Sequence, residues 1–117
     1  MRTAYLIDPF AREVTRVTLE TQAGSAAELE EIYRLLDCGI IEAVTPVNAQ
    51  GDVIFVDEEG KVANSRRTQQ YFLCRLWPYE PLAGKALWIG STPNGEVVSA
   101  RSELSYVAGH IVWSRTA

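Results

Sequence analysis

Residues 25–37, SAAELEEIYRLLD, are the stretch that most restricts what this chain can become. Leu29, Ile32, Tyr33 and Leu36 fall at i, i+3, i+4 and i+7, so a helix here presents one apolar stripe that must be covered. Ser25-Ala-Ala-Glu28 has the form of a capping box, in which the serine oxygen accepts a free backbone N–H and the glutamate reaches back to the serine N–H. Glu28, Glu30 and Glu31 lie in the first turns, where the helix dipole favours negative charge, and Gly39 is the expected left-handed stop. The patterned segments around this helix read as strands. One helical stripe among strands predicts an α+β domain spanning 1–117: a largely antiparallel sheet with one main amphipathic helix packed on one face.

The strand expectations follow from pattern and punctuation. Thr3–Ile7 and Val14–Leu19 are β-prone and separated by Asp8-Pro9, which predicts a hairpin. Residues 40–44, 53–56 and 85–89 read as further strands, with turns at 48–51, 57–60 and 93–95. Residues 71–77, YFLCRLW, read as a core strand, and Trp77-Pro-Tyr-Glu-Pro-Leu as a rigid aromatic loop. A helical turn over 103–107 and a strand through 111–113, with His110 on it, complete the expected order.

Composition excludes several classes. With 47% hydrophobic and 22% charged residues, the chain has the balance of an ordinary globular domain. No apolar run approaches the roughly 18 residues that span a bilayer, and the expected address is cytoplasmic. Cys38 and Cys74 are too few for a disulfide scaffold or a cysteine zinc site, and read as small core residues. The net charge is −4, but it is unevenly spread. Residues 20–60 hold ten acids against Arg34 alone, whereas Lys61, Arg66, Arg67, Arg75 and Lys85 follow with only Glu80 to oppose them. Such a chain is a poor general binder of nucleic acid, because phosphate contacts dominate that affinity.

Catalytic signatures are missing: there is no HExxH, Walker loop, nucleophile elbow or paired CxxC. His110 has serines in its neighbourhood in sequence but no nucleophile pattern, so an enzyme is the weaker reading, and no metal or cofactor is expected. The stretch NSRRTQQYFLCRLW, 64–77, carries the parts of a nucleotide pocket. Arg66, Arg67 and Arg75 could hold phosphate through planar forks, Asn64 and Gln69 could read a polar edge, and Tyr71 and Trp77 could pack on a base. Trp77, Tyr79 and Glu80 form a second candidate, a surface for a partner protein.

Three segments, in order, resemble a small domain-of-unknown-function family carried by phages, plasmids and other mobile elements. They are LIDPFAREVTRVTLE, LEEIYRLLDCGIIEAV, and VDEEGKV with PLAGKALWIG. The resemblance implies a context and no specific chemistry: a small accessory protein in a host cytoplasm, acting by binding. The expectation is a non-enzymatic protein, aided by homo-oligomerisation, that sequesters a small anionic ligand such as a cyclic nucleotide or an ADP-ribose derivative. The alternative is a protein inhibitor that docks on a host defence or restriction enzyme through an acidic, partly DNA-like face.

Overall fold

The computed structural model describes residues 1–61 and 69–115. The alternation at the start becomes a hairpin, in which β1 (Arg2–Asp8) and β2 (Glu13–Leu19) pair from Arg2 opposite Leu19 to Asp8 opposite Glu13. The helix α1 (Ala26–Leu36) follows, then β3 (Ile41–Val44) and β4 (Asp52–Asp57). Next come β5 (Tyr71–Cys74), β6 (Trp77–Ala83), β7 (Ala86–Ser91) and β8 (Val97–Val98), then α2 (Leu104–Gly109) and β9 (Ile111–Ser114). The larger sheet runs β2-β1-β7-β4-β3, with β8 on the end of β7, and the smaller one runs β6-β5-β9. Among the described residues every strand pairing is antiparallel, so the architecture there is mostly antiparallel sheet with two short helices.

Strand β7 lies at the centre because both of its faces are apolar. Leu87 and Ile89 pack with Ala4, Leu19, Ile32 and Leu36, which places α1 over that side of the sheet. Ala86 and Trp88 pack the other way, with Tyr5, Ile7, Ile54 and Val56 and with Phe72, Cys74 and Leu82 of the smaller sheet. Full burial of an aliphatic side chain such as Ile32 or Leu36 contributes about 1.5–3 kcal/mol.

Local details of α1 depart from the sequence pattern. Ser25 Oγ accepts from Glu28 N–H at 3.2 Å, but Ser25 N–H donates to Gln22 O instead of to Glu28. The Glu28 carboxylate turns to Arg2, whose guanidinium also donates to Thr21 O and Val97 O. Only half of the capping box forms because that part-buried guanidinium is the stronger partner. Leu29 stays exposed, and the buried face of α1 is Glu28, Ile32 and Leu36. The left-handed stop is Asp37, at φ 52° and ψ 48°, two residues earlier than the glycine.

The smaller sheet brings a second correction. The segment 71–77 is not one strand: β5 ends at Cys74, Arg75-Leu76 turn, and the expected aromatic loop runs back as β6. Pro78 and Pro81 are tolerated because β6 is an edge strand, where a missing N–H need not break a ladder. His110 caps the C-terminus of α2 and precedes β9.

One buried carboxylate ties the loops to the sheet. Asp52, at 2% exposure, accepts from Trp88 Nε1 at 2.8 Å, Arg101 N at 3.0 Å and Ser102 N at 2.9 Å. The segment 99–102 can lie this close because Gly90 has no Cβ; one placed there would meet Ser99 O at 2.2 Å. Among the described residues no helix is long and apolar enough to cross a membrane.

Candidate functional site

The sheet register places charged side chains together at one end. Ile7, Ala86 and Val56 stand side by side across β1, β7 and β4. One residue further along each strand come Asp8, Lys85 and Asp57, an acid–base–acid row. Side chains alternate between faces, so this row lies on the α1 side of the sheet. The C-terminus of α1 ends above it, and Asp37 Oδ2 accepts from Lys85 Nζ at 2.6 Å. Opposite charges on neighbouring strands attract, and Lys85 has three carboxylates around it. Its pKa is raised, chiefly by the hydrogen bond to Asp37 and further by the charges of Asp37 and Asp8, so its ammonium stays charged.

These residues rim a cleft of about 500 Å³, lined by Asp8, Phe10, Ala11, Leu36, Asp37, Asp57, Gln69, Gly84 and Lys85. Each wall has a local cause. Asp8 Oδ1 accepts from the N–H groups of Phe10 and Ala11, which folds the hairpin turn and leaves Phe10 half exposed at the rim. Asp57 Oδ1 holds the following turn through Glu59 N–H. Gln69 donates to Gly60 O at 2.9 Å and lies against Gly84, whose φ of 78° suits a residue without Cβ.

Asp37 is one of four non-glycine residues at positive φ among the described residues, with Arg12, Asn48 and Gln50. It sits at positive φ, where glycine is the least strained choice, and it adds negative charge to the C-terminal, negative end of a helix dipole. Cys38 N–H bonds to Tyr33 O at 3.1 Å and Asp37 N–H to Arg34 O at 3.4 Å, a Schellman arrangement that glycine would complete as well. A residue that breaks two local preferences at the mouth of a cleft marks a candidate site.

Of the residues anticipated for ligand binding, the four described ones do not gather in one place. Asn64, Arg66 and Arg67 lie outside the described residues. Gln69 lines the cleft, whereas Arg75 and Trp77 stand beyond the opposite end of β5. Tyr71 is 5% exposed and packed in the interior, with little ring surface to offer a base. Trp77 meets Tyr79 edge-on with centroids 5.2 Å apart, and Tyr79 is largely exposed. Glu80 faces Lys61 at 3.4 Å. Arg75 is exposed beside the α2 terminus, its N–H donating to His110 O at 2.8 Å. The His110 ring lies against Tyr106 at 4.4 Å, with Nδ1 on the Tyr106 carbonyl. Burial raises the pKa of Cys38 and of Cys74. Among the described residues no three histidine, cysteine or acidic side chains converge to hold a metal ion.

Three of the ten acids of 20–60 are engaged within the fold. Glu28 and Asp52 are buried, and Glu31 is turned to Thr21 and the Glu20 N–H. Sequence reasoning missed Asp8, Phe10, Asp37, Asp57 and Lys85 as site residues, although each stands in a segment quoted for the family resemblance. No curated protein and no solved structure matches the chain. The family model described as Domain of unknown function (DUF3846) matches residues 1–109, and the chain belongs to that family.

Proposed function

We propose that this member of the DUF3846 family is a non-enzymatic binding protein whose small-molecule ligand occupies the cleft between the β1–β2 turn and the end of α1. The observation that carries this reading is Asp37, kept at a left-handed, dipole-opposed position where its carboxylate meets Lys85 at the cleft mouth. The cleft is of pocket size, since small-molecule sites run from about 300 to 1,000 Å³. Its rim mixes an aromatic ring, an amide and charged groups, the combination that fixes a ligand's orientation.

An accessory role in a mobile element, in the host cytoplasm, belongs to this proposal; sequestration of a nucleotide-derived signal is a second reading. Its phosphate partners would be Arg66 and Arg67. The described walls oppose Lys85 to three carboxylates, which does not favour a phosphate at that spot. Docking on a host enzyme through an acidic face draws less support, because Glu28 and Asp52 point inward.

The test is a backbone-amide chemical-shift map with a fragment panel containing cations, anions and neutral molecules. The reading predicts hits that move the amides of Asp8 to Ala11, Asp37 and Gly84-Lys85. Hits confined to the Arg75–Tyr79 end of the smaller sheet would contradict it.

A further inference from the structure

We infer that the ligand of this cleft is an organic cation, an alkylammonium or guanidinium group on an apolar arm; this rests on the binding-cleft reading above. The argument begins with charge. Asp8, Asp37 and Asp57 face Lys85 alone among the described residues of the cleft, so the described walls carry a net negative charge once the Asp37–Lys85 pair is formed. Asp8 and Asp57 each commit one oxygen to a turn, Oδ1 in both cases, and the second oxygen of each has no partner among the described residues. Each therefore keeps an acceptor available to a donor from outside.

Spacing then decides which cation fits. Asp8 and Asp57 stand on strands flanking β7, so about 10 Å, two strand spacings, separates their backbones. A metal ion needs oxygens at about 2.0–2.6 Å, and no such group converges here among the described residues. A ligand with donors spread along a chain, or with the planar fork of a guanidinium, can reach acceptors that one metal ion cannot. The apolar arm has its own surface. Phe10 is 51% exposed at the rim and Leu36 lines the floor, and an aromatic face attracts a cation brought close to it.

The experiment titrates the wild-type protein with agmatine, butylamine, butyrate and adenosine monophosphate, reading amide shifts and affinities. Asp8→Asn and Asp57→Asn are titrated alongside; each keeps the turn-forming oxygen, and an unchanged amide spectrum outside the cleft shows that the variant folds. The inference predicts that agmatine and butylamine move the amides of Asp8 to Ala11 and Gly84-Lys85. Each asparagine variant should weaken agmatine by about 2–5-fold, the range for losing one exposed charge pair. Raising the salt from about 0.02 to 0.5 M should weaken it further, because screening shortens the reach of each charge. Butyrate or the nucleotide moving those amides while the amines leave them unmoved would overturn the cation and leave the binding cleft standing. Silence from both amines would also overturn the cation. Shifts from every ligand only around Trp77 and Tyr79 would overturn both readings.

Discussion

Replacing Asp37 by glycine should stabilise this protein while weakening its binding site. The wild-type residue holds φ 52°, and relieving its Cβ of the left-handed conformation is worth about 1 kcal/mol, at the low end of the usual cost because aspartate tolerates this region better than most residues. Removing a negative charge from the last turn of α1 adds about 0.3–1 kcal/mol. Against this stands the Lys85 bridge, worth about 0.2–1 kcal/mol, since the Asp37 side chain is 71% exposed. Glycine also loosens the unfolded chain, at about 0.4–1 kcal/mol. The balance favours the variant by about 0.5 kcal/mol, or about 2 °C in Tm for a domain of this size. Asp37→Asn should fall close to wild type, because asparagine accepts the same backbone geometry. Asp37→Ala should lose about 1 kcal/mol, because alanine has a Cβ and no local polar compensation. Urea unfolding with unchanged m-values measures all three. A glycine variant less stable than wild type by more than about 0.5 kcal/mol would refute the reasoning, since stability alone would then account for aspartate at this position.

Asp52→Ala strands the buried indole N–H of Trp88 and the N–H of Ser102, at about 1–3 kcal/mol each, so calorimetry should show Tm falling by about 10–20 °C. The Lys85–Asp37 contribution is fully present below the unfolded lysine value of about 10.4 and is lost as pH rises through the higher folded value. Lys85→Met should therefore flatten the alkaline limb of the stability profile. Burial acts to raise the Glu31 pKa, but the Thr21 hydroxyl, the N–H groups of Glu20 and Thr21 and the charge of Arg2 outweigh it and lower it. That stability is present above about pH 4.3 and is lost as pH falls through the lower folded value, so Glu31→Gln should flatten the acid limb.

Much of the strand order was legible because periodicity and turn residues are local. The hairpin at 2–19 and the strands at 41–44, 52–57 and 86–91 all follow from alternation bounded by Pro, Gly, Asn or Asp. The ends were less legible. Gly39 looked like the helix stop, but the chain turns at Asp37, whose partner Lys85 lies 48 residues away and has no local signal. The prolines of WPYEPLA argued for a loop, because nothing local says that a strand will lie at a sheet's edge. The cleft was not legible for the same reason. Asp8, Lys85 and Asp57 become neighbours only through the register of β1 and β4 on β7, whereas Arg66 and Arg67 stand together in the sequence itself.

The most direct test of a cation-binding cleft is a crystal structure of the protein grown with agmatine. The account predicts a donor group of the ligand hydrogen-bonded to Asp57 or Asp8, with its alkyl chain against Phe10 and the Asp37–Lys85 pair bordering it. An empty cleft, with the ligand seated beside Trp77 and Tyr79, would contradict it.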